Sequence, residues 1–240
     1  MTPSTLPVRP GDRRQYVREM FSDIAPRYDL LNHVLSLNID RAWRRRAVAR
    51  LGWEVWPDGV FLDACAGTLD LATVLATRRG FRGRVVGADF ALPMLHHGAD
   101  KPPAGLVARV AADTLQLPFG DAGFDGAIVG FGIRNLADLD AGLRELGRVL
   151  RPGRRLVILD FATPHFAPFR AAYLFYFRRV LPAIGRLVSG HSTAYSYLPE
   201  SVKEFPAPEA LRARLEAAGF QGCGFDLLTG GIAAIHWGSR

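Results

Sequence analysis

"FLDACAGTLDLA", residues 61–72, is a short apolar run that ends near an aspartate, turns tightly and opens into a helix-like pattern. The turn holds one glycine, Gly67, with Ala66 and Leu69 where a glycine-rich loop would carry more. In an open α/β sheet a ligand lies beyond the carboxyl ends of the strands, where strand order reverses, and the first strand-to-helix turn is the usual place. Gly67 permits close approach of backbone to ligand, and Thr68 begins the helix with unpaired N–H groups. Asp89 closes the next apolar run, "RVVGAD", at about the 20-residue offset from which an acidic side chain accepts from ribose hydroxyls.

Outward from that turn, strands and helices alternate. Strand-like runs are "GVFLDAC", "RVVGAD", "GLVARVAAD", "FDGAIVGF" and "RRLVILDF", followed near the end by "CGFDLL" and "GIAAIHWG". Between them, in "LADLDAGLRELGRVL", Leu139, Leu143, Leu146 and Leu150 share one helical face, and Pro152-Gly153 ends the run. The strands read as continuous apolar runs, as a parallel sheet covered on both faces requires. This alternation predicts a doubly wound α/β sheet. Residues 13–51 read as helix broken near Pro26 and Asn38, and residues 1–11 as a loose, Pro-rich terminus.

With 240 residues, 49% hydrophobic and 22% charged, the chain is an ordinary globular length and composition with no forced split into two domains. The net charge of +7 is carried almost wholly by arginine, because lysine occurs only at Lys101 and Lys203. Either an arginine-rich codon bias or an anionic partner produces that balance, and charge alone does not choose. Cys65 and Cys223 stand apart in apolar surroundings and read as buried thiols of a reducing cytoplasm. The sequence suggests neither a signal peptide nor a membrane-spanning run. The six histidines are scattered and no Cys/His cluster has metal-ligand spacing, so no metal is expected. A nucleophile elbow of the G-x-S-x-G type is also lacking.

"ADTLQLPFGDAGFDGAIVGFGIRNL" and "LRELGRVLRPGRRLVILDF" resemble the middle and later motifs of class I methyltransferases that use S-adenosylmethionine. More narrowly, "FSDIAPRYDLLNHVLSLNIDRAWRR", "FGIRNL", "YSYLPESVKEFP" and "GGIAAIHWG" resemble the ubiquinone/menaquinone C-methyltransferase family, and the resemblance spans Val17 to Gly238. It implies a seven-stranded, mostly parallel sheet forming one domain over residues 12–240, with a helical cap at 12–52 and a helical insertion at 164–200. It also implies S-adenosylmethionine contacts at Asp63, Gly67, Thr68, Asp89, Asp113, Thr114 and Gly130, with Asp113-Thr114 where adenine is expected. The family often has serine at the position of Gly130, and its usual L-D-x-x-G-G-T-G-D has leucine here at position 69. A leucine at positive φ would cost about 1–2 kcal/mol, whereas in a helix it is better than glycine by roughly 0.8 kcal/mol. Because Leu69, Ala72 and Ala76 fit one face, the helical conformation is expected.

Methyl transfer needs no nucleophile from the protein. The site must align donor and acceptor, exclude water and raise the acceptor's electron density. For a quinol ring carbon this means deprotonating or strongly hydrogen-bonding a ring hydroxyl. In the "GFGIRN" turn, Arg134 is expected to stabilise a phenolate-like oxygen unless it pairs with a carboxylate such as Asp138, and Asn135 to orient that oxygen or a water. Tyr28, Asp29, His33, Tyr195 and Tyr197 are candidates for the acceptor pocket, one of them as general base.

Between Phe161 and Pro199 no residue is acidic. Phe169, Tyr173, Phe177, Val180, Ile184 and Leu187 fall on one helical stripe, Pro182 bends or breaks it, and Arg170, Arg178, Arg179 and Arg186 supply positive charge. Such a segment suits either the surface of an anionic bilayer, where a polyprenyl quinol resides, or packing in the core or against a second copy in a homodimer. No RNP-like motif is present, so nucleic acid is not an expected partner. The combined reading is a C-methyltransferase of a polyprenyl quinol precursor, demethylmenaquinol first and a polyprenyl benzoquinol second, in the cytoplasm at the inner face of the cell membrane. A methyltransferase for a soluble phenolic acceptor and a non-catalytic scaffold of a quinone-pathway complex are the rivals.

Overall fold

The structure is a computed structural model that describes residues 13–36, 38–176, 179 and 193–240, with the side chains at 27, 30–35 and 193–196 outside the description. Seven strands form one sheet in the order β3-β2-β1-β4-β5-β7-β6. They are β1 (Val60–Ala64), β2 (Arg84–Asp89), β3 (Val107–Ala111), β4 (Gly126–Gly130), β5 (Arg155–Phe161), β6 (Gln221–Leu228) and β7 (Ala233–Ser239). Strands β1 to β5 are mutually parallel, and β7 runs antiparallel between β5 and β6. Strand order reverses between β1 and β4, so their carboxyl ends open the crevice that such a sheet offers to a ligand.

Alternating side chains of β1 feed the two faces. Phe61 joins α2 (Ile39–Leu51) and α3 (Asp70–Ala76) in a core with Trp43, Val48, Leu71 and Leu75. Leu62 joins the opposite core, in which Leu143 and Leu146 of α5 (Leu139–Val149) meet Leu211 and Leu215 of α8 (Pro208–Ala217). Asp138 caps α5 by accepting the Ala141 N–H at 2.9 Å, so it is not the partner of Arg134. A third, smaller cluster unites α1 (Arg13–Leu35), α6 (Ala167–Phe175) and α7 (Thr193–Glu204) through Val17, Met20, Ile24, Tyr173, Tyr197 and Val202. Through Ala25, α1 also packs on Ala91 and on Met94 of α4 (Leu92–His97).

The helix expected to break near Pro26 runs through it. Pro26 is exposed, and apolar neighbours Ile24 and Ala25 are buried, so packing offsets the lost backbone hydrogen bond. The break at Asn38 does occur, with φ at 61°. The stripe positions Phe177, Val180, Ile184 and Leu187, with Arg178, Arg186 and Pro182, lie outside the described residues, as do residues 1–12.

Leu69 corrects the expectation of a helical conformation. It precedes α3 with φ 64° and ψ 26°, in the left-handed region. Its side chain is fully buried in the core beside β2, where a Cβ on Gly87 would come 2.4 Å from Leu69 Cδ2. Gly87 therefore makes room for Leu69, and the buried leucine offsets the strain of its backbone. Left-handed strain of about 1–2 kcal/mol is smaller than the roughly 3–5 kcal/mol expected from emptying a buried leucine site. Leu69→Gly is thus predicted to lower stability by about 2 kcal/mol in urea unfolding. A stabilised variant would show that strain dominates.

Candidate active site

The turn after β1 alternates in handedness, with positive φ at Cys65 (52°), Gly67 (52°) and Leu69 (64°). Alternation of this kind turns successive N–H groups toward one concave side. Two bonds tie the turn to β2. Ala66 N–H donates to Ala88 O at 3.0 Å, and Gly67 N–H donates to Asp89 Oδ2 at 2.8 Å. Asp89 Oδ1 accepts the Ala91 N–H at 2.8 Å, so one carboxylate fixes the turns after both strands. Burial pushes the Asp89 carboxyl up to about 6, against the backbone donors of Ala91, Gly67 and Phe90 that hold it down.

A crevice of about 650 Å³, partly open to solvent, lies in front of this turn. Of the residues predicted from the sequence, Gly67, Asp89, Asp113, Thr114, Gly130, Asn135 and Tyr28 line it. Asp113 receives the Leu115 N–H at 2.9 Å on Oδ1 and Arg14 Nε at 2.7 Å on Oδ2. Thr114 is buried, its hydroxyl 3.3 Å from Cys65 Sγ. At Gly130 an added Cβ would come 2.5 Å from Leu71 Cδ1, so a serine there would require Leu71 to shift.

Other predicted residues stand behind the wall. Asp63 is buried and accepts the Ala72 N–H at 2.9 Å, which fastens the first turn of α3; desolvation pushes its carboxyl up to about 8. Thr68 is covered by Asp29, to which it donates at 2.5 Å, and by Lys101, from which it accepts at 2.8 Å. Asp29 therefore serves the turn and does not face the crevice. His33 and Tyr195 lie on α1 and α7, with side chains outside the described residues.

The expected direct charge of Arg134 on an acceptor oxygen is not the geometry found. Arg134 is buried away from the lining, its Nη1 donating to Asp160 Oδ1 at 2.7 Å and to the Phe131 carbonyl. The next residue takes the forward position: Asn135 lines the crevice and its Oδ1 accepts the Tyr197 O–H at 3.1 Å. With Tyr197 on that oxygen, both amide N–H donors of Asn135 remain to meet a ligand.

Several residues that matter here were not singled out from the sequence. Asp160 carried a usable signal, since it ends an apolar strand just as Asp63 and Asp89 do. Lys101 stands out in the sequence only as one of two lysines, and Arg14 meets Asp113 across a sequence gap that no local pattern bridges.

The model of the ubiE/COQ5 methyltransferase family matches residues 10–240. The chain belongs to this family. It is 53% identical to the demethylmenaquinone methyltransferase of Thermus thermophilus, over 92% of this chain and 100% of that one. The demethylmenaquinone methyltransferase of Deinococcus radiodurans is 46% identical, over 95% of this chain and 94% of its own. A solved structure from Thermotoga maritima, a SAM-dependent methyltransferase, superposes with a TM-score of 0.65 at 17% identity, covering 92% and 98% of the two chains, and shows the shared fold. The protein is a methyltransferase whose cofactor is S-adenosylmethionine.

The donor set of the crevice fits that cofactor. The Asp89 carboxylate takes backbone N–H groups on both oxygens and keeps acceptor capacity that suits ribose hydroxyls, and the Asp113 carboxylate suits an exocyclic amine.

Asp89 accepts hydrogen bonds best as a carboxylate, so cofactor affinity should rise with pH up to about 6 and level off above it. Its raised native pKa has the opposite sign for folding: the contribution is present below the unfolded value and lost as pH rises through about 6. Calorimetric titration with S-adenosylhomocysteine should show up to about a tenfold gain per pH unit on the acid limb for a one-proton linkage. Asp89→Asn should flatten the limb, and a pH-independent wild type would contradict the assignment.

Proposed function

We propose that the protein transfers the methyl group of S-adenosylmethionine to a ring carbon of demethylmenaquinol, giving menaquinol and S-adenosylhomocysteine. The observation that carries this reading is the 53% identity to a demethylmenaquinone methyltransferase along that relative's entire length. When bound, the cofactor supplies an electrophilic methyl on a sulfonium. Asp89, Asp113 and Thr114, with the Gly67 backbone, would hold it from the carboxyl ends of β1, β2 and β3.

Phe21, Tyr28 and Met94 give the crevice a wall suited to an aromatic ring, and they exclude water from the reacting atoms. The Asn135 amide, held by Tyr197, donates to a ring oxygen and favours its phenolate form, whose electron density passes to the ring carbon that attacks. That carbon then gives up its proton to solvent at the open mouth of the crevice, and the ring regains aromaticity. Arg134 is a positioning residue: its pair with Asp160, both nearly sealed from solvent, keeps Asn135 forward. Burial raises the Asp160 carboxyl while Arg134 opposes that shift, so removing the arginine leaves a costly lone carboxyl.

A lipophilic acceptor brings the protein to the membrane. Among the described residues no helix is long and apolar enough to cross a membrane. Phe166 and Phe175 are exposed at the two ends of α6, with Arg170 and Arg179 exposed nearby, which supports peripheral contact with an anionic leaflet.

The test is methylation of demethylmenaquinol in anionic liposomes, read by mass as the gain of one methylene. Asn135→Ala should lower kcat by about 10²-fold with cofactor affinity near wild type. Absence of methylation, with a soluble phenol methylated instead, would overturn the substrate assignment. Full turnover in Asn135→Ala would remove its role.

A further inference from the structure

In a chain so rich in arginine, Lys101 stands among acceptors from three separate elements. Its ammonium meets Asp29 Oδ2 of α1 at 2.5 Å, Asp70 Oδ1 of α3 at 2.6 Å and the Thr68 hydroxyl of the turn after β1 at 2.8 Å. Three diverging N–H donors thus meet three oxygens, an arrangement that a planar guanidinium, built to grip one carboxylate with two parallel bonds, does not reproduce. The Thr68 hydroxyl returns its own proton to Asp29 Oδ1 at 2.5 Å. On the far side, Asp70 Oδ2 takes Arg44 Nη2 at 3.2 Å, and Arg44 Nε reaches Asp40 at 3.3 Å, so the cluster is anchored in α2.

This cluster lies along the edge of the helix that roofs the crevice. Phe21 and Tyr28 of α1 line the space, and α1 is tied to the rims on both sides. At the adenine side the tie is Arg14 to Asp113, with the Arg14 side chain 65% exposed. At the turn after β1 it is Lys101 to Asp29, with side chains only 26% and 21% exposed. Exposed pairs contribute little, whereas partly desolvated, charge-assisted bonds contribute more, so of these two ion pairs the second holds α1 more firmly, beside its apolar packing and the Arg13 bond to the Arg134 carbonyl.

We propose that Lys101 is a positioning residue that clasps α1 over the cofactor crevice, so that cofactor exchange requires the Lys101–Asp29 contact to open. This rests on the methyltransferase reading only for the identity of what is retained. Lys101 does not line the crevice. It acts by joining the roof to the turn that lines the crevice at Gly67 and is bonded through the Gly67 N–H to Asp89 of β2.

The experiment uses the full chain with Lys101→Met, Asp29→Asn and the double variant, and with Arg82→Met as a comparator that removes the exposed pair with Asp58. Two readouts are taken. One is stopped-flow dissociation of S-adenosylhomocysteine, and the other is amide hydrogen exchange of α1 around residues 20–29 in the free protein. Lys101→Met should speed dissociation about tenfold, the loss of one charge-assisted contact, and should raise α1 exchange. Asp29→Asn should do the same, and the double variant should add little, because both changes open one clasp. Arg82→Met should change neither readout. The proposal is overturned if Lys101→Met and Asp29→Asn leave both readouts at wild-type values, or if their effects on dissociation simply multiply. Should the wild type fail to bind the cofactor, the methyltransferase reading falls, while α1 exchange in the free protein still decides the clasp.

Discussion

The bond from the Gly67 N–H to the Asp89 carboxylate is the contact on which the remaining architecture of the site depends. It joins the turns after two neighbouring parallel strands at the place where the sheet opens. The turn can lie there because β1 and β2 pair in register, Ala64 opposite Ala88, and because Leu69 is sunk beneath it against Gly87. A glycine at position 69 would relax the backbone but would leave the turn without its anchor. The chain accepts a strained residue at the rim in exchange for a packed one below it.

The same device recurs around the crevice. Asp63, Asp89 and Asp160 sit at or near the carboxyl ends of β1, β2 and β5, are all buried, and accept backbone N–H groups from the segments that follow. Burial raises the pKa of all three, and each is compensated by backbone donors or, for Asp160, by Arg134 as well. Only Asp89 reaches the ligand space; the other two hold the elements that shape it. This division explains why a strand-end aspartate is a good marker of the crevice and a poor guide to which residue lines it.

Much of this was legible in the sequence. The strand runs and the Leu139/Leu143/Leu146 face follow from periodicity, because burial on a strand or helix imposes a local repeat. Asp89, Asp113 and Asn135 follow motifs that chain topology carries to one edge of the sheet. What could not be read depends on contacts between distant segments. Whether Leu69 is helical or left-handed is decided by space at Gly87, which a local helical-face argument does not see. Arg134 is turned from the crevice by Asp160, 26 residues away in the chain. Lys101 gains its meaning only when α1 folds back and brings Asp29 to the turn.

The account stands or falls on how the crevice holds its cofactor, and a crystal structure with S-adenosylhomocysteine tests that most directly. The ribose hydroxyls should donate to Asp89 while Leu69 stays buried beside Gly87, with Asn135 facing the thioether side. A refined complex with the ribose away from Asp89, or with the Leu69 side chain turned out into the crevice, would contradict it.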